Sequence, residues 1–325
     1  MCRHQVLFCI LLVVASRGFA LGQESKAPAK IVFVTGDEEY RSEESMPMLA
    51  AILERDFGFR CPVAYALTDA GEIDPNRLDH IDGLDELKDA DLMVLFTRFR
   101  RLPDDELKKI LDYAESGRPL VGFRTATHAF RYPKGDPRAA RMNERWPTKV
   151  FGQHWITHHG HFKDGHGRLT AVTPLEKERG HPVLRGVDAF LAYSWLYHVQ
   201  GGGDRLSGDS RPLVLGWSLR SNHAGRLDRF PRETPVAWVK SYTGGAGKKA
   251  RVFFTTLGHP YDFKIPSMRR LALNGILWAL GREDLIPEGG CRTDTVKPYD
   301  PPNSGFGKVY RAGVFPRRPA RGGQR

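Results

Sequence analysis

Cysteine is scarce in this chain. Its 325 residues include four, and two of those, Cys2 and Cys9, fall in the first twenty positions. The remaining Cys61 and Cys291 are too few for a disulfide-built scaffold, and in an oxidising compartment they would either bridge or stay as thiols. No CxxC or Cys/His ligand spacing is present, which disfavours a structural zinc site. HExxH and GxGxxG are also missing, so neither the zincin helix nor the dinucleotide fingerprint is there. Beyond residue 20 no apolar run approaches the roughly 18 residues of a membrane-spanning helix. A composition of 41% hydrophobic and 27% charged residues excludes collagen, wholesale disorder and a multi-span membrane protein.

What is present begins with a leader-like end. Arg3 and His4 precede an apolar run from Val6 to Ala15, and Gly18 and Ala20 supply the small residues of a cleavage site. The expectation is a signal peptide over residues 1–20, cleaved after Ala20, and a secreted or periplasmic product without a membrane anchor. The net charge of +11 is unevenly spread. Two of those charges, Arg3 and Arg17, belong to the leader. Six more (Lys308, Arg311, Arg317, Arg318, Arg321 and Arg325) lie beyond residue 307 with no acid among them. The body is left near +3, with no aromatic–basic module, which argues against a nucleic-acid partner. Residues 28–285 read as one elaborated α/β domain, and 286–325 as a wrapping segment that ends in a basic tail.

Ile31–Val34 and Leu92–Phe96 are short continuous apolar runs, the signature of strands buried on both faces. Val63–Leu67 and Pro119–Phe123 are two further strand candidates. Ser45–Phe57 carries Met48, Leu49, Ile52 and Leu53 on one helical stripe. Pro103–Ser116 is the clearest helix. It has Pro103 at its start, Asp104, Asp105 and Glu106 in the first turn, Leu107, Ile110, Leu111 and Ala114 at helical spacing, and Gly117 as its stop. This alternation predicts a doubly wound, mostly parallel sheet of the flavodoxin kind. The second half adds strands at Leu169–Val172, Leu213–Trp217, Val236–Val239 and Val252–Thr255. Turns are expected at Gly201–Gly203 and Gly244–Gly247, and a helix over Ser267–Leu280. Thr127–Gly167 has little periodicity and dense histidine, and reads as a His-rich insertion.

Ligands of such sheets bind beyond the carboxyl ends of the strands, so the loops there carry the candidates. The first loop, Gly36–Glu44, offers Glu39, Tyr40 and Arg41; Glu43 and Glu44 read equally well as first-turn helix acids. The second, Gly122-Phe123-Arg124-Thr125-Ala126-Thr127-His128, has the strand-then-sharp-turn setting of a nucleophile elbow. Arg124 occupies the nucleophile's place, which excludes thiolate chemistry there. Arg124 can orient an oxygen-rich ligand, and His128 can carry protons near neutral pH. The third, Gly152–His161, holds His154, His158, His159 and His161 with Trp155 among them. His154 and His158 are candidate ligands for a divalent metal, and on a strand they would face away from His159 and His161. No other cofactor is expected. The fourth, Thr255–Asp262, puts His259 at a strand end, with Asp262 to orient it and Tyr261 alongside.

Taken in order, four motifs resemble the ThuA-like, trehalose-utilisation family over about residues 30–282. They are Gly36-Asp37-Glu38-Glu39-Tyr40-Arg41, Gly122–His128, Phe151-Gly152-Gln153-His154-Trp155, and Leu257-Gly258-His259-Pro260 followed by Asn274-Gly275-Ile276-Leu277-Trp278-Ala279. Many members of the family carry a histidine where Arg124 stands here. The resemblance implies a class I glutamine amidotransferase-like fold without its catalytic cysteine. It also implies a carbohydrate ligand of trehalose type or a 3-keto glycoside, with a sugar dehydrogenase acting in the same pathway. On that basis His128 and His259 are expected to move protons, assisted by Glu39 or Asp262. Tyr40, Arg41, Arg124, Thr125, Trp155 and Tyr261 would contact the sugar. A non-catalytic sugar-binding protein and a metal-dependent hydrolase are the alternatives. A homo-oligomer is compatible with any of the three.

Overall fold

The computed structural model describes residues 28–160, 167–305 and 316. The expected leader, His161 and all six basic residues of the tail lie outside the described residues. The first apolar run becomes β1 (Ile31–Gly36), buried along its whole length. A turn leads into α1 (Ser42–Phe57), which starts three residues ahead of the expected Ser45, so Glu43 and Glu44 are its first-turn acids. Then follow β2 (Val63–Ala64), β3 (Leu92–Thr97), α2 (Asp104–Glu115) and β4 (Leu120–Phe123). The second half contributes α3 (Trp146–Phe151), β5 (Thr170–Pro174), β6 (Phe190–Ala192), β7 (Arg211–Ser218), β8 (Glu233–Thr243), β9 (Lys249–Thr255) and α4 (Pro266–Leu280).

All nine strands form one sheet in the order β2-β1-β3-β4-β9-β8-β7-β5-β6. From β2 to β9 the neighbours are parallel, and from β9 to β6 they are antiparallel. The expected mostly parallel sheet is therefore corrected to a mixed one. The reason is local: Gly244–Gly247 joins β8 to β9 by a tight connection, and parallel pairing would need a crossover of a dozen or more residues. The doubly wound alternation also stops halfway, because only short 3-10 turns separate the strands from β5 to β9.

Alternation of side chains along the parallel strands splits the core in two. Phe33, Val94 and Phe253 pack with Leu49 and Ile52 of α1 and Leu271 and Ile276 of α4. Their neighbours Val34, Leu95 and Phe254 pack with Leu107 and Ile110 of α2 and Val150 of α3. The histidine-bearing segment 152–160 is irregular rather than a strand, and joins the body through a bridge between His158 and Tyr197. The face-parity argument for its histidines therefore lapses. Cys61 and Cys291 are both buried free thiols, each pushed up by burial, Cys291 to about 12. Among the described residues no helix is long and apolar enough to cross a membrane.

Candidate functional site

Because β1, β3, β4 and β9 are parallel neighbours, their carboxyl ends lie along one edge of the sheet. The loops that leave them meet there. Asp37, fully buried after β1, organises the first. One carboxylate oxygen accepts the backbone N–H of Glu39 and of Tyr40, each at 2.8 Å, and the other accepts the Thr125 hydroxyl. Thr125 thus ties the first loop to the second rather than standing free for a ligand. From the loop after β3, Arg98 pairs with Glu38 and, at 3.0 Å, with Glu39. Burial raises the Glu39 carboxyl from its ordinary range, and the nearby guanidinium of Arg98 pulls against that rise.

Arg124 lies at the centre. It leaves β4 with a left-handed backbone, φ 41°, and is 0% exposed. Its guanidinium carbon sits 4.0 Å from the ring centre of Tyr40 and 4.5 Å from that of Tyr197. Nη2 donates to the Tyr40 hydroxyl at 2.9 Å, and Nη1 donates to the carbonyls of Thr256 at 2.9 Å and Trp195 at 3.3 Å. One side chain thereby fastens three loops and the segment after β6. Gly258 permits this approach, since a Cβ there would meet the Arg124 Cβ at 2.9 Å.

The two candidate proton carriers flank that sandwich. His128 neighbours Tyr197, with ring centres 6.1 Å apart, and also Phe99 at 5.1 Å and Trp155 at 5.5 Å. Burial, then the charges of Arg98 and Arg124, hold it well below the ordinary histidine range, so it is a neutral imidazole at physiological pH. His259 neighbours Tyr40 at 6.4 Å and stacks on Tyr193 at 5.6 Å. Its Nδ1 accepts the backbone N–H of Tyr261 at 3.0 Å. The hydrogen bonds of Asp262 run to backbone groups and a hydroxyl. Its buried carboxylate accepts the backbone N–H of Tyr193 at 2.6 Å, of Gly258 at 3.2 Å and of His259 at 3.1 Å, together with the Ser194 hydroxyl. Asp262 therefore shapes the turn that presents His259.

Aromatic rings continue outward on both flanks. Trp155, 37% exposed, leans on His128, and His158 lies flat against Trp195 with ring centres 4.9 Å apart. Burial and the charge of Arg124 bring His158 down to about 4. On the other flank Tyr261 meets Tyr193 edge to face at 5.4 Å. His154 is directed elsewhere, with Nδ1 2.9 Å from the Thr148 hydroxyl of α3. Among the described residues no group of three or more His, Cys, Asp or Glu side chains is arranged to hold a metal ion.

The structure brings Glu39, Tyr40, Arg124, His128, Trp155, His158, His259 and Tyr261 into one connected network, with Arg41 at its rim. It adds residues that sequence reasoning missed: Asp37, Arg98, Tyr193, Tyr197 and Ser304. Asp37 stands within the first quoted motif, and three others had a signal. Arg98 opens a basic–aromatic run directly after the buried β3, and Tyr193, Trp195 and Tyr197 alternate along an extended stretch. Ser304 had none, since it reaches the site from the expected wrapping segment.

A family model described as trehalose utilisation (ThuA) matches residues 30–279. Among solved structures, a ThuA-like protein of Parabacteroides merdae ATCC 43184 is 20% identical with a TM-score of 0.49, covering 78% of this chain and 90% of its own. One of Bacteroides uniformis ATCC 8492 is 15% identical with a TM-score of 0.47, over 78% and 93% of the two chains. The exo-β-1,4-mannosidase of Opitutaceae bacterium strain TAV5 is 12% identical with a TM-score of 0.37, over 78% and 36%. No curated protein matches the chain.

Proposed function

The chain belongs to the ThuA, trehalose-utilisation family, and from that premise we propose that it processes a trehalose-type or 3-keto glycoside by acid–base chemistry. The observation that carries this reading is the pair of imidazoles on either side of the buried Arg124 sandwich, at the carboxyl edge of the parallel strands. His128 is kept neutral, so one of its ring nitrogens is unprotonated, and that nitrogen is the proton acceptor of this reading. His259 serves as a hydrogen-bonding partner on the opposite flank, and Glu39 is a second carboxylate within the same network. Trp155, Tyr193 and Tyr261 supply partly exposed ring faces of the kind that stack on pyranoses. The leader-like residues 1–20 fit a protein that meets its sugar outside the cytoplasm.

The test is product analysis by NMR after incubation with a panel of native and 3-keto disaccharides. His128→Asn and His259→Asn should each lower turnover at least about tenfold, a bound set below the roughly hundredfold or more that a positioned proton-transfer group contributes. Full turnover in both variants would refute the assignment. A second reading, a sugar-binding protein without turnover, is favoured by one observation: Asp262 is wholly spent on backbone groups and a serine hydroxyl. Saturable binding by calorimetry with no substrate lost over long incubation would select it.

A further inference from the structure

We propose that the C-terminal segment contributes a ligand-binding residue to this site: Ser304, whose hydroxyl His259 holds as an oriented hydrogen-bond donor. The proposal rests on the sugar reading above and deepens it. Its argument starts from the histidine. A backbone N–H can only donate, so the bond from Tyr261 fixes Nδ1 as the unprotonated nitrogen. The ring proton is then on Nε2, which lies 2.8 Å from Ser304 Oγ. Nε2–H donates, the serine oxygen accepts, and the serine keeps its own proton to give. Asn303 Oδ1, at 3.5 Å, is at the outer limit of a hydrogen bond and a weak competitor for that proton.

The segment is fastened to the same loops. Gly305 N–H donates to the Glu39 carbonyl at 3.0 Å, and Arg41 Nε donates to the Asn303 carbonyl at 2.9 Å. Tyr299 donates its hydroxyl to the Pro260 carbonyl at 3.1 Å. Ser304 is thereby held over Glu39, Arg41 and His259. It is half-buried, whereas His259 beneath it is 3% exposed. An oxygen-rich ligand arriving on this flank meets the serine hydroxyl, and His259 acts on it through that hydroxyl as a positioning residue. Residues 299–305 lie beyond the stretch matched by the family model, so the match does not assign them.

The test uses the full chain with trehalose and its 3-keto derivative as probes. Ser304→Ala should weaken calorimetric binding of whichever probe the wild type binds by about fivefold or more, the loss of one neutral hydrogen bond. Ser304→Thr, which keeps the hydroxyl, should stay within about twofold of the wild type. Unchanged or tighter binding by the alanine variant overturns the proposal and makes the segment a mere cover. A second arm needs no sugar. Nitrogen-15 imidazole spectra of the free protein, with His259→Asn for assignment, should show His259 protonated on Nε2, and the Nε2 signal should move in Ser304→Ala. A proton on Nδ1, or a signal indifferent to the substitution, overturns the pairing. Failure of both probes to bind the wild type would sink the sugar reading, and the ligand half of this proposal with it. The spectra would still decide the Ser304–His259 pairing.

Discussion

Arg124 holds a backbone conformation that costs a non-glycine residue about 1–2 kcal/mol. Its guanidinium offsets that cost with three hydrogen bonds and two ring faces, all out of contact with water. Lysine at this position keeps the charge and loses the planar fork that spans those partners. Arg124→Lys should therefore destabilise the protein by about 2–4 kcal/mol, read from the denaturant midpoint. An unmoved midpoint would show that the fork contributes nothing to stability. The identity of such residues was legible in the sequence, because short polar clusters directly after buried apolar runs stand out. Their partners were not. The sequence pairs Asp262 with the His259 imidazole, and the structure pairs it with Tyr193 and Ser194, almost seventy positions away. A buried carboxylate takes whichever donors the fold delivers to it, and spacing along the chain does not carry that information.

At the scale of elements, the parallel half was readable because each strand there is a short apolar run punctuated by polar loops. The antiparallel half shows in the sequence as separate strands without an order. β6 was missed: it has three residues, one of them the exposed Leu191. The most distinctive irregular element is the histidine-bearing segment. His159 lies 2.8 Å from the Ser221 hydroxyl and edge to face with His223 at 5.3 Å. His223 Nδ1 is 3.0 Å from Arg226, and His198 pairs with Asp204, which also binds Arg229. Burial, then like charge, brings His159 to about 4, and burial does the same for His158. Both are depressed below the 6.5 of a free imidazole, so between about 6.5 and 4 the unfolded chain binds more protons than the folded one. The stability contributed by these neutral rings is present above that window and is lost as pH falls through it. Urea midpoints should drop between about pH 7 and 4.5, and His159→Gln should show a shallower drop than the wild type. Equal slopes in the two proteins would count against a buried neutral His159.

For the molecule as a whole, the basic balance says little about partners, since most of the excess lies in residues 1–20 and beyond residue 307. The pairing of β4 with β9 says more. These adjacent central strands are separated in the chain by everything from residue 124 to 248, including β5 to β8. Contacts this distant make folding slow, because the loop must close before the pairing rewards it. A chain ending at residue 243, which has every strand except β9, should lack cooperative unfolding by circular dichroism. A sharp urea transition in that fragment would show that the first eight strands form a unit of their own.

The same pairing sets an order of events during synthesis. While the ribosome is adding residues 124–248, β4 is already made and the edge that faces away from β3 is open, with unsatisfied backbone groups and its partner β9 not yet in existence. Chains are made at about 5–20 residues per second, so that exposure lasts on the order of ten seconds in every molecule. Yield in a cell is then set by what shields that strand during the wait, and a slower ribosome or a scarcer chaperone would lower it without changing the stability of the finished protein.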